Sequence, residues 1–350
     1  MISLGHHSEI LRQEIQMKPP KPNCWEFKNC GREPGGIKAG KEGVCPAAEE
    51  KTFDTFNHGI NAGRACWLVA GTFCDDEVSG TFAEKIDTCR NCNFYKKIQT
   101  DERSFSIEDD NINLYAATHI GLVRKANEDR YLVKKFSDGS LLLAVADGMG
   151  GQAGGGHAAE ILRGKLANMP LIAAGKEAET LSLLAVETDR ILIETGDRQE
   201  ELEGLGTTLL CVLLRDDTAH WVHVGDSRFS IFRAGKLLQI TQDQNLARYL
   251  VEEGQITPEE VADHYSRNVL DQALGNAMEE PETGAERLES KDIILLSTDG
   301  FHNLVLADVI VSELQREEEL KSRANSLVEL ALERGGTDNI TLLMAELPHP

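Results

Sequence analysis

Residues 141–151 read Leu141-Leu142-Leu143-Ala144-Val145-Ala146-Asp147-Gly148-Met149-Gly150-Gly151. Six apolar residues in a row, bounded by turn residues, suit a buried strand. The run ends on a carboxylate and a glycine-rich turn. An ionised carboxylate at the tip of a buried strand is unfavourable unless positive charge lies against it. The neighbouring glycine lets the Gly148 carbonyl turn inward as a further oxygen ligand. Hard cations such as Mg²⁺ and Mn²⁺ favour that mixture of carboxylate, carbonyl and water.

The pattern recurs along the chain. Ile293-Ile294-Leu295-Leu296-Ser297-Thr298 leads into Asp299-Gly300. Trp221–Val224 leads into Gly225-Asp226-Ser227-Arg228, and Gly335-Gly336-Thr337-Asp338-Asn339 precedes a last apolar strand. Asn127-Glu128-Asp129-Arg130 precedes a strand at Tyr131. Each piece alone reads as an ordinary turn, cap or solvated loop. Together, strand ends carrying Asp129, Asp147, Asp226, Asp299 and Asp338 can converge on one point if the strands belong to two packed sheets. That makes the chain a candidate metal-dependent hydrolase.

At 350 residues, two domains are the natural expectation. The net charge of −22 disfavours nucleic acid or an anionic membrane as a primary partner. The first 23 residues have no apolar segment of a secretory signal. The longest apolar runs, such as Leu141–Ala146 and Leu209–Leu214, fall well short of the roughly 20 residues that span a bilayer. The chain therefore reads as soluble and cytoplasmic, with no membrane segment.

Composition divides it into a tail at 1–23, a cysteine-rich domain at 24–98, an acidic linker at 99–112 and a large domain at 113–350. In the large domain, strands are expected at 113–119, 130–136, 140–146, 207–215, 218–225, 228–233, 236–240, 292–298 and 339–346. Helices are expected near 156–169, 178–195, 246–254, 258–264 and 319–334. In the last of these Leu320, Ala324, Leu327 and Ala331 share one stripe. Many strands without a helix after each one predict an α+β fold of antiparallel sheets with helices outside.

Residues 113–347 resemble the protein phosphatase 2C (PPM) family of metal-dependent protein serine/threonine phosphatases, most closely its bacterial branch. The resemblance rests on Gly121-Leu122-Val123-Arg124 with Asn127-Glu128-Asp129, on Asp147-Gly148-Met149-Gly150-Gly151, Gly206-Thr207-Thr208 and Val224-Gly225-Asp226-Ser227-Arg228. Leu274-Gly275, Ser297-Thr298-Asp299-Gly300 and Thr337-Asp338-Asn339-Ile340-Thr341 complete the order. It implies a four-layer α-β-β-α sandwich of two antiparallel sheets flanked by helices. It also implies two Mn²⁺ or Mg²⁺ ions, with a third and weaker site. Asp147 would bridge two metals, with Asp299 and Asp338 on one and the Gly148 carbonyl on the other. Glu128 and Asp129 would act near the Gly148 metal through waters, Asp226 with Asp299 would hold the third, and Arg124 would bind the substrate phosphate. The implied partners are phosphorylated proteins of a serine/threonine kinase pathway. Bridged divalent ions activate a shared water without an enzyme nucleophile. The alternative is a non-catalytic module that binds phosphoproteins without hydrolysing them.

Three departures stand out. Met149 occupies a position where eukaryotic relatives carry a histidine able to act as an acid, so leaving-group protonation falls to water. His157, within Gln152–Glu160, reads as a surface residue at a helix start. Asp243-Gln244-Asn245 opens a flap-like segment at 243–276, where many relatives have Asp-His-Ser. Arg228 is expected to pair with a carboxylate rather than touch substrate.

Seven of the eight cysteines fall between Cys24 and Cys92, at Cys24, Cys30, Cys45, Cys66, Cys74, Cys89 and Cys92. Cys211 lies in an apolar run and reads as core. In a cytosolic chain such a cluster indicates metal or redox chemistry rather than structural disulfides. Cys24-Trp25 and Cys66-Trp67 open two similarly spaced halves, and Cys89-x2-Cys92 suits a metal-binding turn. The pattern resembles a small bacterial module called the two-CW domain. Zn²⁺, an iron–sulfur cluster and a thiol–disulfide couple all remain open. Trp25 and Trp67 are expected as core anchors, and the domain as a regulator or targeting element of the phosphatase.

Overall fold

The computed structural model describes residues 21–347 apart from 52–58, 75–76, 81–84, 86–87, 90, 102, 110–111, 200–201, 258–259 and 277. The chain forms two units, Met1–Ile98 and Gln99–Pro350.

The first unit is built from short pieces. These include the helices Cys24–Lys28 and Ala39–Glu42 and the 3-10 turns Pro46–Ala48 and Cys66–Leu68. A hairpin follows, of β1 (Phe73–Cys74) and β2 (Glu77–Val78). Asn23 caps the first helix in a capping box with Glu26, and its Oδ1 accepts from the Ile60 N–H at 2.9 Å. Asn23 is buried, and the Pro22 carbonyl accepts from Arg64 Nη1 at 3.1 Å. The expected tail at 1–23 therefore ends inside the folded unit, because its last residues satisfy a helix start. Trp25 and Trp67 are buried anchors, Trp67 meeting Tyr95 edge-on at 5.0 Å.

The second unit contains two antiparallel sheets. Its strands are β3 (Ser104–Asp109), β4 (Ile112–His119), β5 (Arg130–Lys135), β6 (Leu141–Ala146), β7 (Gly148–Met149) and β8 (Gly206–Thr207). They continue with β9 (Leu209–Arg215), β10 (Thr218–Val224), β11 (Arg228–Arg233), β12 (Lys236–Gln239), β13 (Glu282–Arg287), β14 (Ile293–Ser297) and β15 (Ile340–Glu346). One sheet runs β13-β10-β9-β6-β5 and the other β12-β11-β14-β15-β4-β3, while β7 and β8 form a short separate ladder.

Period-two alternation decides which side chains face which layer. Leu114, Ile294, Leu296 and Leu343 join Leu143, Val145, Leu210, Val212 and Trp221 in the core between the sheets. Their neighbours Tyr115, Ile293, Leu295, Leu342 and Met344 point outward onto helices. There the expected stripe of Leu320, Ala324, Leu327 and Ala331 is fully buried, on the helix Leu320–Glu333 beside Ala307–Leu314. Helices Gly151–Ala167 and Glu177–Arg198 cover the opposite sheet. Four layers result, as the resemblance implies.

Several expectations need correction. The segment 99–112 is not simply a linker: β3 pairs along β4, with Phe105 and Ile107 packed on the core. Its alternation is hidden among acidic and hydroxyl residues that face solvent. Strand β13 was not foreseen, because at a sheet edge half its residues are exposed and polar. Helix 156–169 begins at Gly151, inside a glycine-rich run that propensity disfavours. His157 is consequently buried in the body of that helix rather than on the surface. At 258–264 the described residues form only a 3-10 turn, Glu260–Asp263, while 258–259 lie outside the described residues. No helix among the described residues is long and apolar enough to cross a membrane.

The helix Gly151–Ala167 is tied to β5 by charge. Glu160 is 1% exposed and receives Arg130 Nε and, at 2.5 Å, Arg163 Nη2. Replacing Glu160 with Gln removes the buried carboxylate that Arg130 and Arg163 share and is expected to cost about 3–5 kcal/mol. Urea unfolding of the two proteins measures this directly.

Candidate active site

The acidic strand ends meet at one edge of the sandwich. Asp147 follows β6, and its backbone is clamped by threonines. Its N–H donates to Thr208 Oγ1 at 2.9 Å, and its carbonyl accepts from the Thr208 N–H at 2.9 Å and Thr207 Oγ1 at 3.0 Å. A Cβ on Gly148 would fall 2.2 Å from the Gly155 carbonyl oxygen, and one on Gly155 would fall 2.5 Å from that of Gly148. The two glycines thus make the space in which the Gly148 carbonyl sits.

Asp299 opens the short helix Asp299–His302 after β14. A Cβ on Gly300 would stand 2.0 Å from the Asn339 carbonyl oxygen and 3.0 Å from the Asp338 Cβ, so only glycine lets these two acidic segments close up. Asn339 ties the site together. Its Nδ2 donates to the Ile120 and Ala126 carbonyls, each at 2.9 Å, and its Oδ1 accepts from the Glu128 N–H at 2.7 Å. Glu128 in turn accepts from the Gly156 N–H at 3.4 Å. Asp129 is buried, and its Oδ2 accepts from Thr298 Oγ1 at 2.8 Å and Thr341 Oγ1 at 2.7 Å. Asp226 sits in the turn between β10 and β11, facing Asp299 and Asp243. Arg124 is half exposed at the rim, with Nη2 2.6 Å from Asp338 Oδ2.

Electrostatics follow from this crowding. Burial, opposed by the two threonine hydroxyls and reinforced by Asp299 and Asp338, pushes Asp129 up to about 7. Burial and then the fields of Asp129, Asp299, Asp226 and Asp338 raise Asp147 far above the carboxylate range. Burial and then Asp299 and Asp243 do the same to Asp226. Burial and then Asp338 raise Asp299, which hydrogen-bonds to Asp147. Such a set holds its protons until a cation replaces them.

The donors fit hard divalent ions. They are carboxylates and a carbonyl in a glycine-made recess, and the buried Asp129 Oδ1 has no protein partner. Among the described residues no three His, Cys, Asp or Glu side chains already gather about one ion position. At this site Asp338 is held in an ion pair by Arg124.

The threonines and Asn339 carry no role in the sequence reading, although all stand inside quoted motifs. Thr298 and Asn339 stand beside Asp299 and Asp338 in the sequence, whereas Thr207, Thr208 and Thr341 adjoin no acid. Arg228 makes the expected carboxylate pair, bidentate to Asp243 at 2.8 and 2.7 Å. The cysteines gather as well, but in the first unit. All seven of Cys24–Cys92 line one cavity, all are free thiols, and burial followed by Cys66 pushes Cys89 up to about 12.

Residues 123–341 match the family model for protein phosphatase 2C. The chain belongs to the protein phosphatase 2C family. It is similar to the serine/threonine protein phosphatase PstP of Mycobacterium tuberculosis, with 38% identity over 228 residues, covering 65% of this chain and 43% of that protein. The alignment thus spans less than half of that relative. It is 30% identical over 241 residues to protein phosphatase PhpP of Streptococcus pneumoniae, covering 66% of this chain and 95% of PhpP. A crystal structure of the PstP catalytic domain in complex with two manganese ions superposes with a TM-score of 0.61 and 33% identity, covering 68% of this chain and 99% of that one. As a protein phosphatase 2C member, the chain carries its acids where the matched region lies.

Two outcomes follow from the geometry. Gly300→Ala forces Asp299 and Asp338 apart and is expected to lower manganese-dependent hydrolysis of a small aryl phosphate about 100-fold, read by steady-state kinetics. Asp129 keeps its proton in the fold up to about 7, whereas an ordinary aspartate releases it near 3.8. The native state binds the extra proton in that window, so stability in EDTA falls as pH rises through it. Melting temperatures of wild type and Asp129→Asn in EDTA should show the smaller fall for the variant.

Proposed function

We propose that this chain hydrolyses phosphoserine and phosphothreonine in proteins, using two Mn²⁺ or Mg²⁺ ions and a weaker third. The observation that carries the reading is the convergence of Asp129, Asp147, Asp226, Asp299 and Asp338 at one sheet edge with Arg124 at its rim. When bound, the ions supply Lewis acidity and an activated water for in-line attack on phosphorus.

The chain's own groups do the rest. Asp147 would hold both ions, Asp299 and Asp338 one of them, and the Gly148 carbonyl the other. Glu128 and Asp129 would hold waters near the second, and Asp226 with Asp299 would hold the looser third. Arg124 takes a phosphoryl oxygen through charge-assisted hydrogen bonds and offsets charge that develops there. Met149 offers no proton, so the serine or threonine leaving oxygen takes its proton from solvent. The segment 243–276 shapes the choice of protein substrate. The substrates are phosphoproteins of a serine/threonine kinase pathway in the cytoplasm. The cysteine-rich unit, similar to a two-CW domain, regulates or targets the enzyme, and its thiols serve a metal or redox centre.

Kinetics with a small aryl phosphate and a phosphothreonine peptide test the proposal. Asp147→Asn and Asp299→Asn should fall to background with manganese present. Arg124→Ala should lose roughly 10- to 100-fold in kcat/KM, mostly through KM. Absent hydrolysis in the parent, or activity that survives both aspartate changes, would leave a phosphoprotein-binding module instead.

A further inference from the structure

The first unit presents a cavity of about 620 Å³ walled by all seven of its cysteines. Among the described residues three lysines, Lys28, Lys38 and Lys85, join them, and no carboxylate or imidazole does. Lys85 is 4% exposed, and its Nζ donates to the Cys66 carbonyl and Thr72 Oγ1, each at 2.8 Å. Among the described residues it makes no ion pair with a carboxylate. A buried ammonium needs a counter-charge, and the groups that bear on it are the thiols Cys66, Cys89, Cys74 and Cys45. The cavity is built for an anionic guest with soft ligands, and metal–thiolate centres carry such charge.

We propose that this cavity binds an iron–sulfur cluster, with Cys24, Cys66, Cys89 and Cys92 as its ligands. Cys89 and Cys92 are held in one tight turn, the Cys92 N–H donating to the Cys89 carbonyl at 2.8 Å. Cys24 and Cys66, which open the two Cys-Trp segments, line the same cavity as Cys89 and Cys92. A single Zn²⁺ draws four sulfurs to about 2.3 Å from one point. The recess is far larger than one ion requires. A cluster takes one thiolate on each outward iron valence, which suits sulfurs spread around a wall. On binding, four thiols each lose a proton to become ligands, and Lys85 offsets part of the resulting charge. The centre also supplies the staple this unit lacks. None of its cysteines is disulfide-bonded, and among the described residues one of its hydrophobic clusters holds only Cys45, Ala47, Ala62 and Val69 as buried members.

The test is anaerobic purification of the full chain, before and after incubation with ferrous iron and sulfide. Iron, acid-labile sulfide and zinc are then measured beside the visible spectrum. The expected result is iron and sulfide in equal amounts with a visible charge-transfer band, retained in Cys30→Ser and lost in Cys89→Ser/Cys92→Ser. Zinc in place of iron at any stoichiometry, or no metal after reconstitution, overturns the assignment. Loss in Cys30→Ser overturns the ligand set. The readout is independent of the phosphatase reading: Asp147→Asn should keep full iron content, and failure to find iron leaves aryl phosphate hydrolysis untouched.

Discussion

Mutual repulsion among buried carboxylates is the constraint on which the larger unit turns. Strand packing brings Asp129, Asp147, Asp226 and Asp299 out of water and against one another, and each is pushed toward its protonated form. A fold built for stability alone would replace such a set with apolar or paired residues. Here the surrounding structure concentrates effort on holding it. Thr207 and Thr208 clamp Asp147, Thr298 and Thr341 bind Asp129, and Asn339 anchors both the Asp338 segment and the loop before Asp129. The arrangement makes sense when protons are exchanged for divalent cations.

Backbone proximity matters as much as charge. Gly121, with φ +80° and its would-be Cβ 2.2 Å from the Asp338 carbonyl oxygen, allows the Arg124 loop to pass against the last acidic turn. Gly148, Gly155 and Gly300 allow similar approaches elsewhere. These contacts decide the angles between strand ends, which no side-chain pattern specifies. They also join Arg124 to Asp338, so the oxyanion-binding and cation-binding groups share one ion pair.

Much of this was legible in the sequence because long apolar runs ending in Asp-Gly are unusual and periodic burial is strong. β6, β11 and β14 lie within a residue of their expected spans, and the helical stripe through Leu320 and Ala331 is buried as read. Elements lacking an apolar signature escaped. β3 hides Phe105 and Ile107 among acids, β13 alternates exposed polar residues at an edge, and Gly151–Gly156 form the first turns of a helix where glycine is a poor former. In the site, acids were visible as misplaced charge. Their threonine and asparagine partners were not, since a buried hydroxyl is distinguishable from an exposed one only once its neighbours are known. His157 was misplaced for the same reason as the helix that carries it. In the cysteine unit, spacing identified the seven thiols but not that all face one cavity with a buried lysine.

Calorimetric titration of the metal-stripped protein with Mn²⁺ in buffers of different ionisation enthalpy tests the central claim most directly. The account predicts at least two ions bound per chain with net release of protons, the release growing as pH falls below 7 toward the ordinary aspartate range. Binding with no proton release, or no more than one weakly held ion, would contradict it.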